Sequence, residues 1–228
     1  MNNYKEPINP LDKINIDIYR KLQEYPFSYD EIINVVLRTQ NQINESLNPG
    51  YNKYYYFINP LKDGTNIGGC YEDGIRYRLN NMGVITFEEG DHNSGKDLDH
   101  PKYGTEIKTR KNLQFNNTND QGRTHESTKY EDGKDEEDSY FILVQQILNT
   151  EVFPNTTHIK KIFFGRLSKR DFTNPNGTGA AYLTTNVRKS KCIEIWNDEI
   201  GNTIEHYQAW LDNDYYEKMI ELENETKD

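Results

Sequence analysis

The sequence predicts an α/β (α+β) fold: helical periods occupy both ends of the chain, branched and aromatic runs bounded by turn residues fill its middle, and no repeat or linker divides it. Of 228 residues only 34% are hydrophobic, yet 17 Tyr, 9 Phe and 2 Trp are among them. Aromatic rings bury a large area each, so a packed core is within reach despite a mean hydropathy of -0.99. This length suits a single domain over 1–228. Helices and a core region are expected to about residue 157, and strands with a closing helix over about 158–228.

The first helix is predicted over residues 12–25, where Ile14, Ile18 and Leu22 share one stripe. Ser28 and Glu31 form a capping box that opens a second helix through Ile32–Leu47, and Asn48-Pro49-Gly50 stops it. Tyr51–Ile58 is aromatic, lies between Pro49 and Pro60, and reads as a strand. A third helix is expected from about Gly69 to Met82, with Gly83 as its C-cap. Strands follow at Val84–Phe87 and around Gly104–Thr109, separated by a polar loop at Asp91–Lys96. Residues 112–137 show no hydrophobic period and read as a loop, with the acidic run Glu131–Asp138 at its end. Ser139–Leu148 is apolar almost throughout and is read as helix in preference to strand. Strands are expected at Ile159–Leu167, Ala180–Thr185 and Lys191–Trp196, and a helix from about Thr203 to Glu225.

No stretch approaches the roughly 18 apolar residues of a membrane span. The N-terminal MNNYKEPINPLDK lacks the basic and apolar regions of an export signal. Cys70 and Cys192 are far apart, in neither disulfide-scaffold nor zinc-ligand spacing. A cytoplasmic protein is expected. A formal net charge of -10 excludes a general polycationic nucleic-acid binder. The charge is uneven, however. Residues 158–191 hold eight Lys/Arg (Lys160, Lys161, Arg166, Lys169, Arg170, Arg188, Lys189, Lys191) against one acid, Asp171. Such a strip can hold a run of phosphates in a chain that repels polyanions elsewhere. Ordinary Lys/Arg-rich strand edges that guard against aggregation give the same pattern.

The sharpest local feature is Asp99-His-Pro-Lys-Tyr-Gly-Thr-Glu106-Ile107-Lys108-Thr109. Glu106 and Lys108 are two apart on an expected strand, so both emerge on one face. Pro101 and Gly104 suit a turn that returns Asp99 to that face. Two carboxylates are what a hard divalent cation such as Mg²⁺ takes, with waters completing its shell. A lysine beside metal-bound water orients that water for attack on a phosphodiester.

This segment resembles the PD-(D/E)xK nuclease superfamily, in the variant found in the mismatch-repair endonuclease MutH and the Sau3AI-like restriction enzymes. There the pattern runs Asp-x-Pro-x-x-Gly-x-Glu-(Leu/Ile)-Lys-Thr, and every fixed position is matched here. Upstream, Lys62-Asp-Gly-Thr-Asn-Ile-Gly-Gly-Cys-Tyr-Glu72-Asp73-Gly is similar to that family's Gly-rich turn and helix, whose Glu completes the acidic cluster. The resemblance puts that role on Glu72, with Asp73 as the competing choice. Val84–Lys96 lengthens the chain between the two segments relative to the MutH pattern.

The resemblance implies a restriction-endonuclease-like fold, a central mixed β-sheet flanked by helices. It implies a Mg²⁺-dependent, sequence-specific endonuclease of type II acting on double-stranded DNA and leaving 5′-phosphate and 3′-hydroxyl ends. Asp99, Glu106, Ile107 and Glu72 would hold the metal, and Lys108 would activate the water. A homodimer on a palindrome is expected, with a cognate DNA methyltransferase in the same system. The prominence of Asn, Ile, Lys and Tyr, all encoded by A/T-rich triplets, suggests a low-GC genome, and the expected palindrome is A/T-rich. Candidates for DNA contact are Lys160, Lys161, Arg166, Lys169, Arg170, Asn174, Asn176, Arg188 and Lys189. The alternatives are a MutH-like nicking repair endonuclease and a catalytically silent DNA-binding regulator. His92, His100 and His125 could also seed an HNH-type metal site, though no second motif half accompanies them.

Overall fold

The computed structural model describes residues 10–47, 64–90, 96–117, 139–148, 156–168, 171–173 and 181–212. Helices α1 (Pro10–Leu22), α2 (Tyr29–Leu47) and α3 (Gly64–Asn80) come first. Strands β1 (Glu88–Glu89), β2 (Leu98–Asp99), β3 (Thr105–Arg110), β4 (Asn116–Asn117), β5 (Ser139–Leu148), β6 (Thr157–Leu167), β7 (Phe172–Thr173) and β8 (Ala181–Leu183) follow. The chain then adds α4 (Thr185–Lys191), β9 (Cys192–Asn197), β10 (Gly201–Asn202) and α5 (Ile204–Asp212). Among the described residues no helix is long and apolar enough to cross a membrane.

The main sheet has seven strands in the order β1-β2-β3-β5-β6-β9-β10, and only the β3–β5 pair is parallel. A second sheet of three strands runs β4-β8-β7. The architecture is therefore mixed α and β with a central sheet flanked by helices. The two faces of the main sheet are covered differently. Tyr140, Ile142 and Val144 of β5 join Ile107, Ile162, Phe164 and Ile193 in a core completed by α1, α2 and α3. Phe141 and Leu143, the alternate residues of β5, join Phe163, Leu167 and Cys192 under the small sheet, which supplies Phe172 and Leu183.

That double burial explains the main departure from the sequence reading. Ser139–Leu148 is a strand, not a helix. A strand apolar on both faces shows no alternation, and its continuous run cannot be told from a buried helix by period. Val84–Phe87 is not a strand either. Asn80 at the end of α3 donates from Nδ2 to the Phe87 carbonyl (2.9 Å) and accepts the Phe87 N–H on Oδ1 (2.8 Å), so a side chain takes the bonds a neighbouring strand would make. The segment predicted as a strand at Ala180–Thr185 stops at Leu183, because Thr184 caps the short helix α4 by accepting from the Val187 N–H. The loop read at 112–137 contains β4 at its start.

Other expectations match. Glu31 Oε2 accepts from the Ser28 N–H at 2.7 Å, and Ser28 Oγ accepts from the Glu31 N–H at 3.3 Å, which is the capping box at the start of α2. Gly83 closes the turn after α3 with φ 72°, a conformation costly for residues bearing a Cβ. On α1, Ile18 and Leu22 face the core with Ile16 and Tyr19, while Ile14 is exposed. Helix α3 begins earlier than predicted, at Gly64, and includes Gly74. A Cβ at Gly74 would stand 2.5 Å from Thr39 Cγ2, so its absence lets α3 lie close against α2. The strand predicted at Tyr51–Ile58, the acidic run Glu131–Asp138 and the last part of the C-terminal helix lie outside the described residues.

Candidate active site

Strand β3 presents Thr105 and Ile107 to the helical core and Glu106 and Lys108 to the other face. Thr105 donates from Oγ1 to the Tyr103 carbonyl (2.8 Å), leaving its oxygen to accept from the buried Tyr25 hydroxyl at 2.9 Å. These bonds pin the start of β3 to the α1–α2 connection. The pairing Leu98↔Thr105 sets the register of β2 on β3. Extended by one residue each way, it puts Asp97 opposite Glu106 and Asp99 opposite Gly104. Asp97 and Asp99 thus share the face of Glu106, but Asp97 is its direct cross-strand neighbour.

Glu106 is 2% exposed and Lys108 8% exposed, deep for two ionisable groups. Lys108 Nζ donates to Glu106 Oε1. Glu106 Oε2 is buried and has no hydrogen-bond partner. Asp97 Oδ2 accepts from the Ile107 N–H at 2.7 Å, which fixes its carboxylate against the middle of the motif. Burial pushes the Glu106 carboxyl up to about 7, with Asp97 and Glu72 adding to the rise and Lys108 opposing it. Burial likewise raises Glu72 to about 7, reinforced by Asp97 and Asp73 against Lys108 and Arg76. Asp97 is raised by burial, opposed by Lys108, the Ile107 N–H and Arg76. Three carboxyls and one ammonium therefore share an electrostatic neighbourhood.

Glu72 arrives there from α3. A Cβ on Gly68, one turn earlier, would lie 3.5 Å from Thr109 Oγ1 and 3.9 Å from Glu72 Oε1, so this stretch of α3 lies against the end of β3. Asp73 points away. Its side chain is 73% exposed and pairs with Arg76 at 2.8 Å, and Arg76 also reaches Glu89 at 3.5 Å. Of the two choices left by the sequence, Glu72 is the one that shares the surroundings of Glu106, Asp97 and Lys108. Sequence reasoning missed Asp97 altogether, because its place beside Glu106 is set by the register of β2 on β3 and not by its spacing from Asp99. His100 serves the turn: its Nδ1 accepts from the Lys102 and Tyr103 N–H groups at 3.2 and 3.1 Å. His92 and His125 lie outside the described residues.

Among the described residues no group of three or more His, Cys, Asp or Glu is disposed to hold a metal ion. The donor chemistry nevertheless suits a hard cation. Magnesium is usually held by one or two carboxylates with waters and substrate phosphates, rather than by an all-protein cage. Glu106 Oε2 and Asp97 supply two such carboxylates.

The candidates for DNA contact are dispersed and largely engaged. Lys160 Nζ binds Asp198 Oδ2 (2.5 Å), Lys161 Nζ binds Glu194 Oε2 (2.7 Å) and Arg166 binds Glu24 Oε1 (2.8 Å). Lys191, also in the basic segment, binds Asp171 (2.8 Å). Arg188 is buried with its guanidinium 4.5 Å from the Phe163 ring centroid, and Lys189 is exposed on α4. Lys169, Arg170, Asn174 and Asn176 lie outside the described residues. The segment 158–191 thus neutralises acids of α1–α2, β9 and their connections, besides any role toward phosphate.

The raised carboxyls carry a pH consequence. Between the ordinary glutamate value of 4.5 and about 7, the folded chain keeps protons on Glu72 and Glu106 that the unfolded chain has released. The contribution of these two groups to stability is full below the lower value and lost as pH rises through the upper one. The thermal midpoint of metal-free protein is expected to fall from about pH 5 to about pH 8, less steeply in Glu106→Gln, and Mg²⁺ at the higher pH is expected to raise it. Scanning calorimetry across that range checks this; the same pH profile in Glu106→Gln as in wild type contradicts it. Compared with family models and with curated proteins, the chain matches none.

Proposed function

We propose that this protein is a Mg²⁺-dependent endonuclease that hydrolyses phosphodiester bonds of double-stranded DNA. One observation carries the reading: Glu106, buried and with one carboxylate oxygen lacking a partner, is set against Asp97, Glu72 and Lys108 inside a motif of the nuclease pattern. Asp97 and Glu106 would hold the ion, with Glu72 beside them. Asp97 would take the place that the motif gives to Asp99, which stands nearer the turn. A bound Mg²⁺ would stabilise charge on the phosphoryl oxygens and make its water more acidic.

Lys108 Nζ, tethered by Glu106 Oε1, would donate to the attacking water and orient its lone pair toward phosphorus. Attack in line with the 3′ oxygen breaks the P–O3′ bond, giving a 5′-phosphate and a 3′-hydroxyl. Within this reading, a type II restriction enzyme working as a homodimer on a palindrome, beside a protecting methyltransferase, is the form we favour.

Unmethylated plasmid incubated with Mg²⁺ tests the proposal. Linear products with ends at fixed positions support it, persistent nicked circles favour a MutH-like nickase, and no cleavage of plasmid or genomic DNA contradicts both. In the same assay Asp97→Asn is expected to lower cleavage by about 100-fold or more, and Asp99→Asn by less. Calorimetric titration with Mn²⁺ should show weakened ion binding in Asp97→Asn. The opposite ranking would return the metal-binding role to Asp99.

A further inference from the structure

We propose that a polar row formed by Arg110, Gln145 and Lys161 is the track that holds the phosphodiester backbone of DNA leading into the site, an inference resting on the endonuclease reading. On β3, alternation puts Arg110 on the same face as Glu106 and Lys108, one two-residue step beyond the lysine. The pairing Arg110↔Gln145 and then Gln145↔Lys161 carries that row across β5 onto β6. Neighbouring strands lie about 4.8 Å apart, so the row runs roughly 10 Å across the sheet from Arg110.

The next row toward the small sheet is Lys108, Leu143 and Phe163. Leu143 and Phe163 are buried there under Phe115, Phe172 and Leu183. The Arg110 row is therefore the border at which the apolar cover of this face gives way to hydrogen-bond donors. Arg110 and Gln145 are both half-buried. Arg110 Nη1 donates to the Thr109 carbonyl at 3.3 Å, and Gln145 Nε2 donates to the Lys111 carbonyl at 3.4 Å. Lys161 is held at 2.7 Å by Glu194, which in turn accepts from Asn197 Nδ2 at 2.6 Å.

A planar guanidinium, the NH2 of a carboxamide and an ammonium in line offer donors of the kind that phosphate oxygens accept. The arginine fork matches a phosphate in two-point contact, and its burial strengthens that contact relative to one in open water. The row also begins beside Lys108, so a strand lying along it would deliver a phosphodiester to the lysine and Glu106.

Fluorescence anisotropy with two labelled duplexes tests this in Ca²⁺ in place of Mg²⁺: one spans a cut position mapped with the wild type, the other has a random sequence. Arg110→Gln is expected to weaken binding of both by about tenfold and to reduce the slope of log K against log salt by about one. Gln145→Ala should weaken binding a few-fold, and Arg110→Lys should restore the salt slope. Lys21→Gln, on α1 over the opposite face, should leave both quantities unchanged. Wild-type affinity and slope in folded Arg110→Gln and Gln145→Ala overturn the track, as does a wild type that binds neither duplex. Binding to the random duplex that depends on Arg110, with no cleavage of any DNA, keeps the track and removes the endonuclease reading.

Discussion

Glu106→Gln and Lys108→Met are each expected to reduce Mg²⁺-dependent DNA cleavage by about 10²- to 10⁴-fold while leaving DNA binding within a few-fold of wild type. Glutamine keeps the shape of the Glu106 side chain but removes the charge that holds Lys108 Nζ and the oxygen, Oε2, that has no other partner. Methionine keeps the Lys108 stem and removes the ammonium proposed to donate to the attacking water. The two changes act oppositely on the fold. The first relieves repulsion of Glu106 with Asp97 and Glu72, whereas the second removes the cation that lowers all three carboxyls. Metal-free Lys108→Met is therefore expected to melt below Glu106→Gln at neutral pH. Equal loss of cleavage in two variants of opposite stability separates a chemical role from a folding defect. Cleavage retained in both variants removes the assignment of this motif.

Phe164→Ala is expected to cost about 3–5 kcal/mol of folding stability, the largest effect foreseen for a single side chain away from the site. Phe164 is fully buried at the centre of β6, and its ring stacks on Tyr140 at 5.8 Å between centroids. Tyr25 lies at 5.0 Å and Tyr29 at 6.1 Å. These tyrosines come from the α1–α2 connection and the start of α2, so the phenyl ring is what the helical layer closes upon. Tyr25 also anchors Thr105, the first residue of β3. Chemical denaturation and the thermal midpoint measure the cost. At about 2–4 °C per kcal/mol for a domain of this size, the midpoint should fall by about 10 °C. A loss below about 1 kcal/mol would mean that the aromatic layer repacks around the gap.

The sequence disclosed elements whose signal is local. The capping box of Ser28 and Glu31, the turn glycine Gly83 and the period of α1 and α2 need no knowledge of neighbours, and all are present. Elements fixed by tertiary surroundings escaped it. Ser139–Leu148 is a strand because two cores meet on it, and Val84–Phe87 is not one because Asn80 satisfies the Phe87 backbone. The same division holds in the site. The pairing of Glu106 with Lys108 on one face followed from their spacing alone. The nearness of Asp97 depended on cross-strand register, which the turn at 100–104 sets and spacing does not disclose. The ion pairs of the basic segment were not legible in the charge count, because their acids, Glu24, Glu194 and Asp198, lie outside the counted window.

The single parallel pair in the main sheet has a kinetic meaning. Strands β5 and β6 adjoin in sequence and pair antiparallel, so their contact closes a short loop. Strand β3 meets β5 in parallel only after the chain has passed through residues 111–138 and returned to the same end of the sheet. Loop entropy therefore favours the β5–β6 hairpin as an early nucleus, with the Glu106–Lys108 strand docking afterwards. Interactions made after the barrier change the rate of unfolding and leave the rate of folding nearly untouched. The mutual repulsion of Glu72, Asp97 and Glu106, and any ion that relieves it, then acts on how long the native state lasts, not on how fast it is reached.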